Sequence, residues 1–384
     1  MKKSLLALAS LCAFTGVAHA QSNVTLYGIV DAGLTYVSNE EGSKNIKLGS
    51  GNLQGSRWGL KGVEDLGGGL KAIFVLENGF SLNNGTLGQG GRMFGRQAYV
   101  GLSSATAGTV TIGRQYDSVV DFVGPLASGS QWATFSGAHP FDNDNLNNTF
   151  RINNSVKYTT ANYSGFSASA LYGFSNQANT SGGTGFANNR AWSVGMGYAN
   201  GPVTLGAGYL YLGSPNALNN SAAVGGKPGI GGGAVSGDFN SVGDGTPFSR
   251  VQIYALGGSY AFGPATAGLV YTHSKYDYVD GASTKFDNIE LNGKYMLTSA
   301  LQLGAAYTYT TAKSTDEPKA TFHQVSVGSD YWLSKRTDAY LVGLWQHASG
   351  SASDGGKYSA VLNGQNVSGT NNQFAVTAGI RHKF

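Results

Sequence analysis

The stretch LQLGAAYTYT, residues 301–310, alternates between apolar and small or polar side chains. The apolar set is Leu301, Leu303, Ala305, Tyr307 and Tyr309. A period of two places alternate residues on opposite faces of a β-strand. About ten residues with one apolar and one polar face match a strand that crosses a membrane at a tilt. This stretch therefore predicts a transmembrane β-strand.

The same alternation recurs along the chain, for example in residues 165–174 and 203–212. Sixteen such runs are found, at 24–37, 56–66, 70–80, 93–103, 109–115, 151–159, 165–174, 190–199, 203–212, 249–261, 265–276, 286–296, 301–311, 320–332, 337–348 and 371–384. Bacterial outer-membrane barrels have an even number of antiparallel strands. The predicted fold is all-β, a 16-stranded antiparallel transmembrane β-barrel.

The links between the runs alternate in length. The short links are 67–69, 200–202, 262–264, 297–300 and 333–336, and the long links are 38–55, 116–150, 175–189, 213–248 and 348–370. Barrels of this class have short periplasmic turns and long external loops. The glycine- and serine-rich loop 213–248 buries little apolar surface and is predicted to be mobile.

Composition excludes several classes of protein. Only 12% of the 384 residues are charged, 59 are glycine, and no mature segment has 18 consecutive apolar residues, so helical membrane spans are excluded. The formal net charge of +4 falls to +2 without Lys2 and Lys3 of the leader described next. A charge this small argues against nucleic-acid binding, which needs a concentrated basic face.

The first twenty residues are typical of a secretory signal peptide. Lys2 and Lys3 precede the apolar run 5–17, and Ala18-His19-Ala20 is a small-x-small cleavage pattern. We therefore expect export, removal of residues 1–20 and a single barrel domain over residues 21–384. The only cysteine lies inside the leader, so disulfides do not stabilise the mature chain.

Motifs for catalysis or metal binding are not found. The mature histidines, His139, His273, His323, His347 and His382, lack metal-ligand spacing and are interpreted as surface or interface residues. The stretch Asp142-Asn143-Asp144 begins like a calcium loop but lacks its later ligands, and is interpreted as solvated loop. There is no G-x-S-x-G elbow and no phosphate-binding loop. No metal, cofactor or enzymatic activity is predicted.

Five motifs, in this order and spacing, resemble the general porins of Gram-negative bacteria, particularly the betaproteobacterial type. They are VTLYG at 24–28, SRWGLKG at 56–62, GRQAYVGL at 95–102, GRQY at 113–116 and GIRHKF at 379–384. The resemblance covers residues 24–384 and implies an outer-membrane homotrimer. It also implies a third external loop, about 116–150, that folds into the lumen and forms a constriction. Small hydrophilic solutes and ions would diffuse passively through it, and no cofactor is implied.

The resemblance also assigns residues to the constriction. Arg57, Arg96 and Arg151 match the wall arginines of the family, and Asp117 and Asp121 are the candidate loop carboxylates. Alternation independently directs Arg57 inward, because an arginine facing lipid at mid-bilayer costs about 2–4 kcal/mol. Inward positions add Lys61 and Lys71 as further wall cations and Asp31 and Glu77 as lumen acids. The count of five cations to four anions is near balance, so the arrangement decides: arginines at the narrowest point predict a modest preference for anions.

Two further positions concern assembly. Arg114 is a candidate for the trimer interface, although the second external loop, 81–91, offers no acid as its partner. The terminal Phe384 resembles the aromatic signal that the outer-membrane assembly machinery reads. The implied partners are therefore two further copies of the chain, outer-membrane lipid and lipopolysaccharide, the assembly machinery, and the solutes.

Two other functions remain open on the sequence alone. An outer-membrane barrel enzyme would hydrolyse lipid or peptide substrates in detergent. A secreted, soluble β-protein acting as a lectin or adhesin would lack a trimer band that collapses on boiling.

Overall fold

The computed structural model describes residues 23–176, 189–214 and 248–384. They form one antiparallel sheet, in which β1 pairs with β17 and closes the barrel. The strands are β1 Asn23–Glu40, β2 Ser43–Ser50, β3 Arg57–Gly67, β4 Leu70–Gly79, β5 Gln97–Ser104, β6 Gly108–Gln115, β7 Ile152–Thr159, β8 Phe166–Gly173, β9 Arg190–Asn200, β10 Val203–Gly213, β11 Phe248–Phe262, β12 Ala265–Tyr278, β13 Ser283–Met296, β14 Leu301–Ser314, β15 Ala320–Trp332, β16 Thr337–Ser349 and β17 Asn372–Lys383. The predicted signal peptide, most of loop 213–248 and most of link 175–189 lie outside the described residues.

Strands β2 and β3 both pair with β1, one after the other, and together occupy one position in the wall. The barrel therefore has sixteen wall positions, which confirms the predicted strand number. The prediction of a long external link at 38–55 is wrong. Glu41 and Gly42 have φ of +54° and +94°, which suits a two-residue hairpin turn, and residues 43–50 return along β1.

Residues 51–56 leave the sheet between β2 and β3 and fold inward. The backbone N–H groups of Leu53 and Gln54 donate to Asp31 Oδ2 at 2.9 and 2.8 Å. Tyr340 donates to the other oxygen of Asp31 at 2.6 Å. Gly51 starts the excursion at a φ of +71°, a conformation that glycine adopts without strain. Asp31 thus faces inward, as predicted, and holds this segment in place.

The predicted alternation of faces is present in the wall. On β14, Leu303 and Tyr307 are 40% and 42% exposed on the outer face, whereas Thr308 and Thr310 are buried inside. Other strand boundaries agree with the prediction within four residues. The largest difference is at β5, which begins at Gln97 rather than 93, because a short turn at Gly88–Gly91 and the residues after it precede the strand.

The third external loop, residues 116–150, folds into the lumen, as predicted. It contains the helices Ser118–Phe122 and Ser128–Gln131 and the 3₁₀ turns Gly124–Leu126, Phe135–Gly137 and Pro140–Asp142. The main apolar cluster lies between this loop and the inner faces of β8–β13, and includes Val119, Val123, Leu210 and Ile253. In the described ranges, no helix is both long and apolar enough to cross a membrane.

A glycine floor on the inner faces of β9–β11 receives the loop. It consists of Gly195, Gly197, Gly206, Gly208 and Gly257. A Cβ atom at Gly206 would overlap the backbone oxygen of Phe122, and one at Gly208 would lie 2.9 Å from the Cα of Val119. The missing side chains therefore let the first loop helix lie directly on the wall.

Candidate pore constriction

Glu77 is the centre of a polar cluster on the inner wall. It lies on β4 directly opposite Gly59 of β3, and its side chain is 6% exposed. Arg96 Nε is 2.7 Å from Glu77 Oε1 and Tyr27 donates to Glu77 Oε2 at 3.0 Å. Arg57 Nε lies 4.0 Å from the same Oε2. One carboxylate therefore faces two of the three predicted wall arginines.

Tyr116 joins the third arginine to this cluster. Its hydroxyl accepts from Arg96 at 3.0 Å and donates to Glu77 at 3.3 Å. The guanidinium of Arg151 lies over the Tyr116 ring, 5.7 Å from the ring centroid. All three arginines line one cavity of about 580 Å³ between the wall and the third loop. The structure thus brings Arg57, Arg96 and Arg151 together, as predicted.

The two loop carboxylates have different positions. Asp121 lines the same cavity and forms an ion pair with Lys157 of β7, whose ammonium also donates to the Tyr116 carbonyl at 3.0 Å. Asp117 is fully buried, where it accepts from the N–H groups of Val119 and Val120 at 2.8 and 3.2 Å. Burial raises the pKa of Asp117 to about 6. Asp117 caps the loop helix and does not line the lumen, in contrast to the prediction.

The remaining predicted charges lie away from the arginines. Lys61 faces inward, with its Nζ 5.4 Å from the Tyr27 ring centroid. Lys71 is on the same face of β4 as Glu77 but six residues nearer the periplasm, roughly 20 Å along the strand. Lys71 therefore lies on the periplasmic side of the cavity. Asp31 accepts hydrogen bonds from the inward segment 51–56.

The charge balance at the cavity differs from the predicted count of five cations to four anions. The cations are Arg57, Arg96, Arg151 and Lys157, and the anions are Glu77 and Asp121. Counting only the side chains at the cavity, four positive and two negative charges leave +2, while Asp117, with a pKa of about 6, adds a negative charge behind the cavity at neutral pH. The pairing of Lys157 with Asp121 could not be predicted from the sequence, because the two residues belong to different segments.

Arg114 and Phe384 lie in the wall. Arg114 donates to the Gly95 carbonyl at 2.8 Å and to Asn153, and is 8% exposed. These bonds are within the chain, so the assignment of Arg114 to a trimer interface stays a prediction. Phe384 continues β17: its N–H and C=O bond to Gly28 at 3.1 and 3.0 Å, and its ring packs over that glycine.

Sequence reasoning missed a buried charged cluster that anchors the third loop. His139 Nδ1 lies 2.5 Å from Asp144 and its Nε2 lies 3.3 Å from Glu290 of β13. Burial alone lowers the pKa of His139, but the two carboxylates outweigh it and raise the pKa to about 10. Ser128 at the start of the second loop helix also bonds Glu290, with N and Oγ at 2.7 and 2.8 Å.

Two predictions are corrected by this cluster. His139 is not a surface or interface histidine, because it is 2% exposed between two acids. The stretch 142–144 is not solvated loop: Asn143 bonds Asn288 and Ser274, and Asp144 accepts from Thr272 at 2.6 Å. In the part of the chain that the structure describes, no group of three His, Cys, Asp or Glu side chains is arranged to hold a metal ion.

The last external loop, residues 350–371, also turns inward and meets the third loop. Gln346 of β16 accepts from the Val361 N–H at 2.7 Å and donates to Gln324 at 3.0 Å. Gln324 in turn donates to the carbonyls of Gly137 and Ala138, both at 3.1 Å. The two inward loops are therefore joined through buried amides of the wall.

A closed barrel with an apolar outer face, a polar lumen and an inward loop defines a transmembrane β-barrel channel. A family profile described as Gram-negative porin matches residues 7–351. The chain is 33% identical to an outer membrane porin protein of Bordetella pertussis, over 90% of this chain and 94% of that one. It is 31% identical to outer membrane porin protein 32 of Delftia acidovorans, over the full length of both.

A solved structure described as the anion-selective porin from Comamonas acidovorans superimposes with a TM-score of 0.72 at 27% identity, over 94% of this chain and all of that one. The chain belongs to the Gram-negative porin family. It is an outer-membrane porin that lets small hydrophilic solutes diffuse passively. Family membership excludes the soluble lectin or adhesin alternative, and the relatives are channels rather than enzymes.

Proposed function

We propose that this porin prefers anions, and that Arg57, Arg96 and Arg151 form its selective constriction. The observation that carries the proposal is the cavity that these three arginines line, beside which the carboxylate of Glu77 is bonded to Arg96. Asp121 is neutralised by Lys157 and Asp117 is buried. A net positive charge in a narrow lumen with low-dielectric walls attracts anions and repels cations.

The similar Comamonas porin supports this proposal, since it is described as anion-selective. Arginine suits the role because it stays charged even when other cations crowd it. The preference should exceed the modest one predicted from sequence, because four charges oppose two at the cavity rather than five opposing four along the lumen.

The test is the reversal potential of single channels in a salt gradient, with Arg57→Ser and Arg96→Ser combined. We expect a wider pore with higher conductance and a shift of selectivity toward cations. Lys71→Ser is the matched control: it removes an inward cation roughly 20 Å away along the strand, and should leave selectivity nearly unchanged. Unchanged reversal potential in the double variant would show that these arginines do not form the constriction.

The assembly partners are part of the same proposal. The chain would form a homotrimer, sit in outer-membrane lipid and lipopolysaccharide, and be inserted by the assembly machinery through its terminal Phe384. The exposed ring of Phe384 on the outer face of the closing strand suits such recognition. A band of trimer mass that collapses on boiling would test the oligomer.

A further inference from the structure

Three lysines form a row across the outer face of neighbouring strands. The register pairs Lys275 of β12 with Lys285 of β13, and Lys285 with Lys313 of β14. Directly opposed side chains on one sheet face have Cβ atoms about 4.5–5.5 Å apart, and like charges there are destabilising. The lysine row therefore concentrates positive charge where a counter-ion would stabilise it.

The chain itself neutralises little of this charge. Lys275 Nζ lies 2.8 Å from Asp277, which also pairs with Arg250 at 2.7 Å. Among the described residues, neither Lys285 nor Lys313 forms an ion pair, and both are exposed. The acid one row below, Asp287, is bonded to His273 at 2.8 Å and interacts electrostatically with Lys313 without forming an ion pair.

The lysine row lies at the depth of the external headgroups. On β13, ten residues separate Lys285 from Tyr295, an exposed aromatic residue next to the periplasmic end of the strand. Ten residues span about 33 Å along a strand, or roughly 25 Å in depth at a tilt of about 40°. The apolar band of an outer-membrane barrel is about 25 Å tall. A cation in this row therefore meets the phosphates of the external leaflet.

An apolar groove lies below the row on the same outer face. It has a volume of about 580 Å³, and its lining includes Leu205, Leu256, Gly258, Leu269 and Tyr271. Gly258 creates the depression, because it is the outward position between Leu205 and Leu269 in the register and has no side chain. Leu269 lies six residues below Lys275 on β12, roughly 15 Å deeper in the membrane.

We propose that the lysine row and this groove form one binding site for a phosphorylated glycolipid of the external leaflet, with the chemistry of lipid A. The phosphates would lie on Lys275, Lys285 and Lys313, and an acyl chain would fill the depression at Gly258. Lysine ammonium groups bind phosphate as point charges, and clustered basic residues at a membrane interface select anionic lipids. The inference rests on the proposed lipid partner and is independent of the anion preference.

The test measures binding of bisphosphorylated lipid A to the mature barrel, refolded in detergent without lipopolysaccharide. The test variant combines Lys275→Gln, Lys285→Gln and Lys313→Gln. The matched control combines Lys44→Gln, Lys319→Gln and Lys357→Gln, which removes three exposed lysines outside the row. Each lysine near an anionic surface strengthens binding roughly fivefold, so the test variant should bind up to a hundredfold more weakly at low salt. The control should stay within twofold.

A separate pair of variants tests the role of the groove. Gly258→Leu should weaken binding of lipid A several-fold, whereas Gly343→Leu, on the outer face of β16 away from the groove, should not. Equal binding of the dephosphorylated lipid would overturn the role of the lysines. Displacement of lipid A by millimolar inorganic phosphate would show a free-anion site instead. Loss of the trimer in the triple variant would assign the row to contact between copies of the chain.

Channel recordings keep this proposal separate from the selectivity proposal. The triple lysine variant should show unchanged conductance and reversal potential in a bilayer without lipopolysaccharide. Loss of lipid A binding, together with unchanged conductance and reversal potential, supports the site. Altered selectivity in this variant would instead show that the lysines contribute to the ion path, and would overturn the inference.

Discussion

Replacing Glu77 by glutamine should make the channel more selective for anions. The variant keeps the shape of the side chain and removes the carboxylate that Arg96 contacts at 2.7 Å and Arg57 at 4.0 Å. The net charge at the cavity rises from +2 to +3. The two arginines then have no acid between them, and a passing anion becomes their counter-charge.

The size of the effect follows from Coulomb's law. An ion passing about 6 Å from the former carboxylate would gain or lose about 0.7 kcal/mol in bulk-like water, which is roughly a threefold change in local concentration. Walls of lower dielectric constant would make the change larger. The shift should be clear at 0.1 M salt, where the Debye length is about 10 Å, and small at 1 M, where it is about 3 Å.

The assay is the reversal potential across a tenfold gradient of potassium chloride, with Arg57→Gln as the opposite control. The glutamine at position 77 should raise the anion-to-cation permeability ratio by up to about tenfold, because a threefold gain for anions combines with a threefold loss for cations, and the arginine replacement should lower it by a similar factor. A ratio that stays the same or falls in the Glu77→Gln variant, while the barrel remains folded, would refute the electrostatic account of the constriction.

Three further predictions follow from other parts of the molecule. The pKa of His139 is raised above its ordinary value of about 6.5, so its contribution to loop docking is complete below pH 6.5 and is lost as the pH rises through about 10. Channel noise should therefore increase between pH 8 and 10.5 in the native protein, and should be high at all pH values in His139→Gln. Gly206→Val should push the loop helix off the glycine floor, cost about 1–3 kcal/mol in overpacking and raise conductance, whereas Gly343→Ala, whose added Cβ meets only Val327 at 3.7 Å, should change neither. Deletion of Phe384 removes two backbone hydrogen bonds to Gly28, so refolding in detergent should be nearly normal, while the yield of folded trimer in cells should fall; a normal cellular yield would contradict its role as the assembly signal.

The wall of the barrel could be predicted from the sequence because alternation is a local signal. On β14 each residue faces lipid or lumen according to its position in a period of two, so Leu303 and Tyr307 are assigned correctly without knowledge of their neighbours. Arg57 and Glu77 follow the same rule, and their inward orientation was predicted. The hairpin at 41–42 was missed because a glycine beside an acid is a weak turn signal in a polar stretch.

The interior could not be predicted in the same way, because it depends on contacts between distant segments. Asp117 and Asp121 are four residues apart, yet one caps a helix and the other pairs with Lys157 on a strand 36 residues away. The burial of His139 depends on Glu290, which lies 151 positions later in the chain. No pattern within the third loop indicates which of its acids reaches water.

The glycine floor has a consequence for the order of folding. The third loop belongs to the first half of the chain, but the floor on which it lies is built from β9–β11, and its anchors Glu290 and Gln324 come from β13 and β15. Closing such long segments costs chain entropy that the distant contacts must repay. The docking contacts of the loop can therefore be completed only after β9–β15 are in place. We expect the barrel wall to form first, and the constriction to form as a later step of folding.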